Sequence, residues 1–554
     1  MTKKKLRLLP LGGLGEIGLN CLVLEWEDNL VLLDCGIQFP DASHPGVELF
    51  VPDLSYVMDR LDHLKGVVVT HGHDDHIGAI PYLARRTALD VYCTKFPRGL
   101  IAHKLAEHEH AKKVNFIEIE PGKSFQVGPF GFTAVAVQHS IIEALAFGIQ
   151  TPVGLVVHSG DFKHDPTPFE GQTIGLEAFE AFGKKGVHLL FADSTNAEKA
   201  GHTVSEEDIA KSFSQLFKEQ DTRIIIALFA SNIRRIGNLL RLAHEQGKKV
   251  VLLGRSMHSY TRLAHEQSSL NIPEDTLILP ENADKYPDDK VVILATGSQA
   301  EPQSALLRVA HGTHRDLQLR PGDRVMLSSR FIPGNERAIS GMISQLARQG
   351  AEILYESVHQ IHVSGHGFQE ELRLLHQACK PKYFVPVHGE YRHMAKHADL
   401  ASESDISKEN IFIIEDGQVL ETDGVQLARA EKVNLKKVPI VQGWVMEQRP
   451  IVFTQRSGMA KAGIVYSVLM RDAHTRELVG RPVVNSYGVL FKDGEEEDTV
   501  KLEAVDLVES VYEEECMDPA SDHEAAEIIR LQLRRYYRDH ACYKPIVITQ
   551  VFDV

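Results

Sequence analysis

Three imidazoles and two neighbouring carboxylates fall within six residues of this chain, in His71-Gly-His73-Asp74-Asp75-His76. Imidazole nitrogen and carboxylate oxygen suit zinc or manganese. A loop that follows a strand can aim several such side chains at one point. The run Val67-Val-Val-Thr70 just before them is β-branched and reads as a buried strand. A solvated, His-rich turn is the bland alternative, but the H-x-H-x-D-H spacing carries a specific mechanism. His71 and His73 could bind one metal, Asp75 and His76 a second. Gly72 is expected to let the backbone turn tightly between ligands.

Later strands end in the same kinds of residue. Thr133 to Gln138 runs into His139, Gly154 to Gly160 into Asp161, and Lys382 to Val387 into His388. Each alone reads as a loop residue. Together they supply the further histidine and bridging carboxylate that two metals about 3.5–4 Å apart require. Asp34 closes the apolar run Asn29-Leu-Val-Leu-Leu33. It could hold a metal-bound histidine from behind, or simply cap a strand end.

The elements that must place these residues alternate along the chain. Gly13-Leu-Gly15-Glu-Ile-Gly18 matches a dinucleotide fingerprint, but strand-like Asn20–Trp26 and Asn29–Asp34 follow where a helix would be needed. Those glycines are read as a tight turn beside the site. Residues 77–86 and 97–110 read as helices, and His103, His108 and His110 on the second are taken as solvated. Strands are expected over 90–94, 115–119, 130–137 and 148–158. From about 196 to 360 helices alternate with apolar strands, which predicts a mostly parallel sheet. Within it Ser231 reads as the cap of a helix from Ile233 to Gln246. Arg234 and Arg235 then lie in its first turn, against the helix dipole, and a bound phosphate would reverse that penalty.

Length and composition set the frame. The chain has 554 residues, 43% of them hydrophobic and 25% charged, with net charge −16. That length predicts two to four domains, and the acidity excludes nucleic-acid coating by overall basicity. No apolar run reaches membrane-spanning length, no signal peptide is read, and six scattered cysteines point to a reducing, cytoplasmic setting.

The H-x-H-x-D-H motif with His139, Asp161 and His388, and Asp34 upstream, resembles the metallo-β-lactamase superfamily. Phe191-Ala-Asp193-Ser-Thr-Asn, Val363-Ser-Gly-His366-Gly and Pro386-Val-His388-Gly resemble the three motifs of its β-CASP nuclease branch. Leu11 to Gly18, Phe229-Ala-Ser-Asn-Ile233, Gly254-Arg-Ser-Met257, Thr296-Gly-Ser-Gln299 and Ile332-Pro-Gly-Asn-Glu336 are similar to the ribonuclease J family, in order, over about residues 6–420. The resemblance implies an α/β fold: an αββα sandwich over 1–195 and 361–437, a β-CASP insertion over 196–360, a linker over 438–460 and a small α/β domain over 461–554.

It also implies two divalent ions per subunit, Zn²⁺ first, with Mn²⁺ or Mg²⁺ as alternatives. His71, His73 and His139 would hold one, Asp75, His76 and His388 the other, and Asp161 would bridge. Asp75 or Asp161 would orient the attacking water. Asp193 would orient a site histidine, and His366 would sit beside the scissile bond. Ser231, Asn232, Arg234, His362, Val363, Ser364, Gly365 and His366 would line the substrate path. The implied activity is trimming of single-stranded RNA from a 5′-monophosphate end, with internal cutting, in mRNA decay and rRNA maturation. A homodimer or dimer of dimers, and partners among other RNA-degradation proteins, are implied, without a membrane.

Two positions depart from the family. Ser140 is followed by Ile141-Ile142-Glu143 where a Pro-Asp step is common, and Gln442 stands where some members carry a calcium-binding Asp. No calcium is therefore expected, although Glu48 remains. A small-molecule hydrolase of the same superfamily and a scaffold that has lost catalysis are the rival readings. The long insertion and the motif at His366 oppose the first, and the seven intact ligand positions oppose the second.

Overall fold

Alternating apolar residues make strands whose two faces bury differently, and here two such sheets close on each other. The computed structural model describes residues 4–41, 43–108, 112–165, 167, 176–218, 221–331, 334–355, 361–446, 450–517 and 522–554. His110, Ile332, Pro333, Ser521 and the expected step near 360 lie outside them. One sheet has eight strands, ordered Leu427–Lys432, Gln418–Thr422, Leu6–Gly12, Cys21–Trp26, Asn29–Leu33, Leu64–Val68, Leu89–Cys93 and Val114–Glu118. The other has six, ordered Tyr383–Val387, Val187–Asp193, Gly154–His158, Leu145–Thr151, Phe130–Ala136 and Ser124–Val127.

Leu8, Leu24, Val31 and Leu33 of the first sheet meet Phe132, Phe147, Leu189 and Phe191 of the second in one core. Each such side chain, fully buried, contributes about 1.5–3 kcal/mol of hydrophobic stabilisation. The outer face of the six-stranded sheet is covered by the helices Leu176–Lys185, Gln369–Cys379 and Tyr391–Glu403. Parallel strands of the eight-stranded sheet are joined through the helices Ser55–Met58, Ile80–Ala84 and Lys95–Ala106. The result is an αββα sandwich.

Two expected elements are divided. The stretch 148–158 is a hairpin of Leu145–Thr151 and Gly154–His158. Pro152 has no N–H to give a ladder, so the chain turns there. The helix expected over 77–86 is Asp74–Ile77 followed by Ile80–Ala84. Pro81 suits a first helical turn but not an interior, so the helix restarts at that point.

The insertion is a five-stranded parallel sheet, ordered Lys249–Leu253, Val291–Ala295, Ile224–Ala227, Arg324–Leu327 and Glu352–Leu354. Its strands are apolar on both faces, as parallel strands between helices must be.

The chain forms two compact units, one of Met1–Gln38 with Phe50–Lys437, the other of Phe39–Leu49 with Val438–Val554. In the second, Ile464–Arg471 lies between Val483–Tyr487 and Ile546–Asp553. Val465, Leu469 and Val547 pack on the helices Glu497–Val511 and Asp522–His540 through Val508, Ile529 and Leu533. The stretch expected as a linker, extended or strand-like, holds the short strands Val438–Val441 and Trp444–Val445 and then the helix Pro450–Ala462. Its proline occupies the first helical position, where a missing N–H costs nothing. No helix among the described residues is long and apolar enough to cross a membrane.

Candidate metal centre

The strands Phe130–Ala136, Gly154–His158, Val187–Asp193 and Tyr383–Val387 run the same way, so their C-terminal ends share one edge. His139, Asp161 and His388 follow three of these ends, and Asp193 closes the fourth. Loops after parallel strands are where such sheets present chemistry. Opposite them, Asp34 and the His71–His76 loop follow the parallel pair Asn29–Leu33 and Leu64–Val68.

Among the described residues the donors converge in three overlapping groups: His71 with His73 and His139, Asp75 with His76, Asp161 and His388, and the last two again with Asp193 and His366. His71 Nε2 lies 3.0 Å from His73 Nδ1, which lies 3.1 Å from His139 Nε2. Three imidazole nitrogens this close have too few protons to satisfy one another. Their spacing approaches the ~3.4 Å between donors around one tetrahedral zinc. Asp161 Oδ2 stands between the groups, 3.7 Å from His71 Nε2, 3.8 Å from His139 Nε2, 3.3 Å from His76 Nε2 and 3.7 Å from His388 Nε2. One oxygen facing four nitrogens from both sides is what a bridging ligand requires. Asp75 Oδ2 completes the second group, 3.3 Å from His388 Nε2 and 3.7 Å from His76 Nε2. The donor chemistry therefore fits two divalent ions.

The far nitrogens of the rings are held as metal-ligand histidines usually are. His76 Nδ1 lies 2.8 Å from Asp34 Oδ2, whose carboxylate also accepts from Thr70 N–H at 2.8 Å and Thr70 Oγ at 2.7 Å. His139 Nδ1 donates to the Gly365 carbonyl at 2.7 Å, and His388 Nδ1 lies 2.7 Å from Thr195 Oγ. These contacts leave Nε2 of each ring turned inward. Asp34 and His388 hold φ of 61° and 55°, a costly region for side-chain-bearing residues.

Gly72 plays a part other than the expected one. Its φ is not positive. Space matters instead: a Cβ there would lie 2.8 Å from Leu100 Cδ1. Gly13, Gly15 and Gly18 do adopt positive φ (95°, 83° and 93°), and the Gly13 carbonyl accepts from His388 N–H at 3.0 Å. The glycine turn thus braces the site.

Burial and charge divide the protonation states. Burial, with neighbouring imidazoles, keeps His71 and His139 well below the ordinary histidine range, and His73 at about 4. Burial also opposes charge on His388, but Asp161, Asp193 and Asp75 outweigh it and raise that ring to about 10. His76 is raised in the same way despite its burial, chiefly by Asp161, Asp75 and Asp34. Burial would raise Asp161, yet His388 and His76 pull it well down.

His366 sits beside this centre, its ring centroid 4.9 Å from that of His139 and 5.4 Å from that of His388. Its Nδ1 lies 2.7 Å from Asp193 Oδ2. Asn196 donates to Ser364 Oγ at 2.7 Å and to the His366 carbonyl at 2.9 Å, and Arg330 reaches Asn196 Oδ1 at 3.1 Å. Buried Glu371 takes N–H groups of Phe368, His164 and Thr203 at 2.7, 3.0 and 2.9 Å, fixing the loop on which His366 stands. Asn20, Thr195, Asn196, Arg330 and Glu371 escaped the sequence reading. Thr195 and Asn196 adjoin Asp193 and could have been suspected; Asn20, whose Nδ2 lies 3.0 Å from His76 Nε2, and Arg330 and Glu371 come from parts of the chain far away in sequence.

The second candidate region differs from expectation. Asn232, not Ser231, caps the helix Ile233–Glu245, its side chain accepting from Arg235 N–H at 3.2 Å. Asn232 stands one residue nearer the first turn, where its Oδ1 meets the free N–H. Arg235, expected with Arg234 to meet a phosphate at this helix start, is instead 1% exposed and paired with Glu206. Arg234 and Ser231 are half-buried. Val363 is buried, and Gly365 passes under His139. His103 is exposed as expected, but His108 is half-buried edge-on against Tyr82. At the departure after Ser140, Glu143 at φ 61° accepts from Phe96 N–H at 2.8 Å, tying the His139 loop to the start of the helix Lys95–Ala106.

Three family models match in sequence order: a β-lactamase superfamily domain over 29–199, the ribonuclease J β-CASP domain over 221–346, and a Zn-dependent metallo-hydrolase RNA specificity domain over 350–413. Ribonuclease J2 of Bacillus subtilis is 33% identical across 100% of both chains. The chain belongs to the ribonuclease J family. Ribonuclease J of Helicobacter pylori is 36% identical over 89% of this chain and 72% of its own length. Ribonuclease J of Mycolicibacterium smegmatis is 39% identical over 74% of each. A solved protein of unknown function from Enterococcus faecalis V583 shares the fold, with a TM-score of 0.55 at 17% identity over 76% of this chain and all of its own. As a ribonuclease J family member the chain is a metal-dependent nuclease.

Proposed function

We propose that this chain hydrolyses single-stranded RNA from its 5′ end, preferring a 5′-monophosphate, and also cuts internally. The observation that carries the hydrolytic reading is Asp161 Oδ2, placed within 3.8 Å of imidazole nitrogens from both donor groups. His71, His73 and His139 would hold one ion, Asp75, His76 and His388 the other, with Asp161 between, and Zn²⁺ or Mn²⁺ suits that set. When bound, the pair lowers the pKa of an attacking water and neutralises charge on the phosphoryl oxygens.

The chain's own groups do the rest. Asp75 or Asp161 accepts a hydrogen bond from the water and orients it. A bond forms from that water oxygen to phosphorus, and the bond from phosphorus to the 3′-oxygen of the preceding nucleotide breaks. His366, kept protonated by Asp193, gives its proton to the leaving 3′-oxygen. The products are a 3′-hydroxyl and a new 5′-monophosphate, so each cut generates the end that the next one prefers. Ser231, His362 and Ser364 form the proposed terminal-phosphate pocket. RNA decay and rRNA maturation in the cytoplasm, and a homodimer or dimer of dimers acting with other degradation proteins, complete the reading.

One experiment tests it. RNA labelled at its 3′ end and carrying a 5′-monophosphate or a 5′-triphosphate is incubated with protein and Mn²⁺. Mononucleotide release with faster loss of the monophosphate form is expected. Equal internal fragments from both forms would remove the pocket and the exonuclease. No cleavage by metal-loaded protein would favour the small-molecule or scaffold reading. Alanine at His76 should abolish turnover with the fold kept, and retained turnover would end the ligand assignment.

A further inference from the structure

A cation in the first turn of a helix faces the positive end of the dipole and needs compensation. Arg235 is such a residue, and it is among the most buried large side chains in the molecule. Its backbone N–H satisfies the Asn232 cap, and its guanidinium turns inward. Nη2 meets both carboxylate oxygens of Glu206, at 3.1 and 3.3 Å. Glu206 is anchored in turn: its N–H donates to Asp165 Oδ2 at 2.9 Å, and Lys163 Nζ lies 3.3 Å from its Oε1. Lys163, two residues past Asp161, donates its N–H to the carbonyl of Gln138, the residue before His139, at 2.8 Å. Glu206 therefore ties Arg235 to the loops that carry two proposed ligands.

The other arm of the guanidinium decides something chemical. Nη1 lies 3.1 Å from His362 Nδ1, and 3.3 Å from both the carbonyl and the hydroxyl of Ser328. A guanidinium has only donors, so Nδ1 of His362 must present its lone pair. The single proton of the neutral ring is then on Nε2. Burial, and next the Arg235 charge, hold His362 well below the ordinary imidazole range, so the ring stays neutral. A neutral histidine in this tautomer donates from Nε2, and a phosphate oxygen needs a donor. The opposite tautomer would offer phosphate a lone pair.

We propose that Arg235 is a positioning residue that, held by Glu206, fixes His362 as the Nε2–H tautomer and so sets the preference for a 5′-phosphate. This rests on the reading of His362 as part of the terminal-phosphate pocket. Arg235 does not touch the RNA; it acts through His362. The phosphate is recognised through this neutral donor, with no cation contributed by Arg235.

The test compares 5′-monophosphate with 5′-hydroxyl RNA of one sequence, as a ratio of kcat/KM, for the full metal-loaded chain. Arg235→Met alone would strand Glu206, so it is paired with Glu206→Gln; Arg235→Leu with Glu206→Gln serves if that pair does not fold. Glu206→Gln alone should keep the preference, because its amide oxygen still accepts from Arg235, which remains on His362. The double variant should lose it at least tenfold, and His362→Leu, which has no donor, should lose it as well. A general loss of structure would lower both rates and leave the ratio in place. If His362→Leu loses the preference and the Arg235 variants keep it, the role of Arg235 falls while the pocket stands. If the unaltered chain shows no preference for the 5′-phosphate, or His362→Leu keeps that preference, the pocket reading falls and this inference with it.

Discussion

The Nδ1 of His366 lies 2.7 Å from Oδ2 of Asp193, at the edge of a centre whose nearest imidazoles belong to His139 and His388. Burial works against an imidazolium there, and the Asp193 carboxylate outweighs it, so the pKa of His366 is raised. Asp193 thereby favours the protonated form of a loop histidine, the form that the proposed acid role needs.

Replacing Asp193 with Asn keeps the shape and removes the charge. The acid form of His366 is present below its pKa and lost above it, so lowering that pKa moves the alkaline limb of the rate profile to lower pH. A fall in kcat of roughly 10²–10⁴ is expected, the usual worth of a general acid. A pH–rate series on RNA with and without the substitution measures both; an unmoved limb would take His366 out of the acid role.

Metal affinity should rise with pH. Without an ion, His76 and His388 are held protonated by Asp161 and its neighbours, His388 up to about 10. An ion must displace those protons, and protonated rings are not ligands. Zn²⁺ or Mn²⁺ titrations between pH 6 and 8 should show binding that tightens with pH and releases protons throughout; an affinity independent of pH would contradict the displacement. A chelator should abolish cleavage and lower the melting temperature, both restored by added ion.

Gly365 is where His139 needs room. A Cβ there would come 2.8 Å from His139 Cε1 and Nδ1 and from Ser140 Oγ. Gly365→Ala is expected to push the ring off its site, cutting turnover more than tenfold and costing about 1–3 kcal/mol through overpacking. Bound metal per chain and urea unfolding measure the two effects. Full activity in the alanine variant would show that His139 tolerates displacement.

The Glu206–Arg235 pair gives stability a pH signature. Burial would raise the Glu206 pKa, but Arg235 and Lys163 lower it to about 2 against an ordinary 4.5. A depressed carboxyl stabilises the fold above its unfolded pKa, and that stability is lost as pH falls through the folded one. The difference between the unaltered chain and Glu206→Gln should be full above about pH 5, on the order of 3 kcal/mol. It should fade toward pH 2. Denaturant unfolding across that window checks it, and a difference that does not vary with pH would contradict the pairing.

The sequence by itself determined the donor set. Chemistry-bearing side chains packed into His71–His76, and repeated at the ends of apolar strands, are legible because metal ligation demands particular atoms and strand periodicity tells where they emerge. The α/β layers were legible for the same reason, since the pattern of burial is local. Tertiary structure decided the rest. Asp161 Oδ2 becomes a shared oxygen only when strands far apart in sequence align at one edge. Gly72 proved to answer to Leu100, a neighbour that no local pattern contains. Arg235 read as a cation awaiting a phosphate until Glu206, Ser328 and His362 closed around it. A residue's type sets which protons it can give or take. Its neighbours set which of them it does, and those neighbours are chosen by folding.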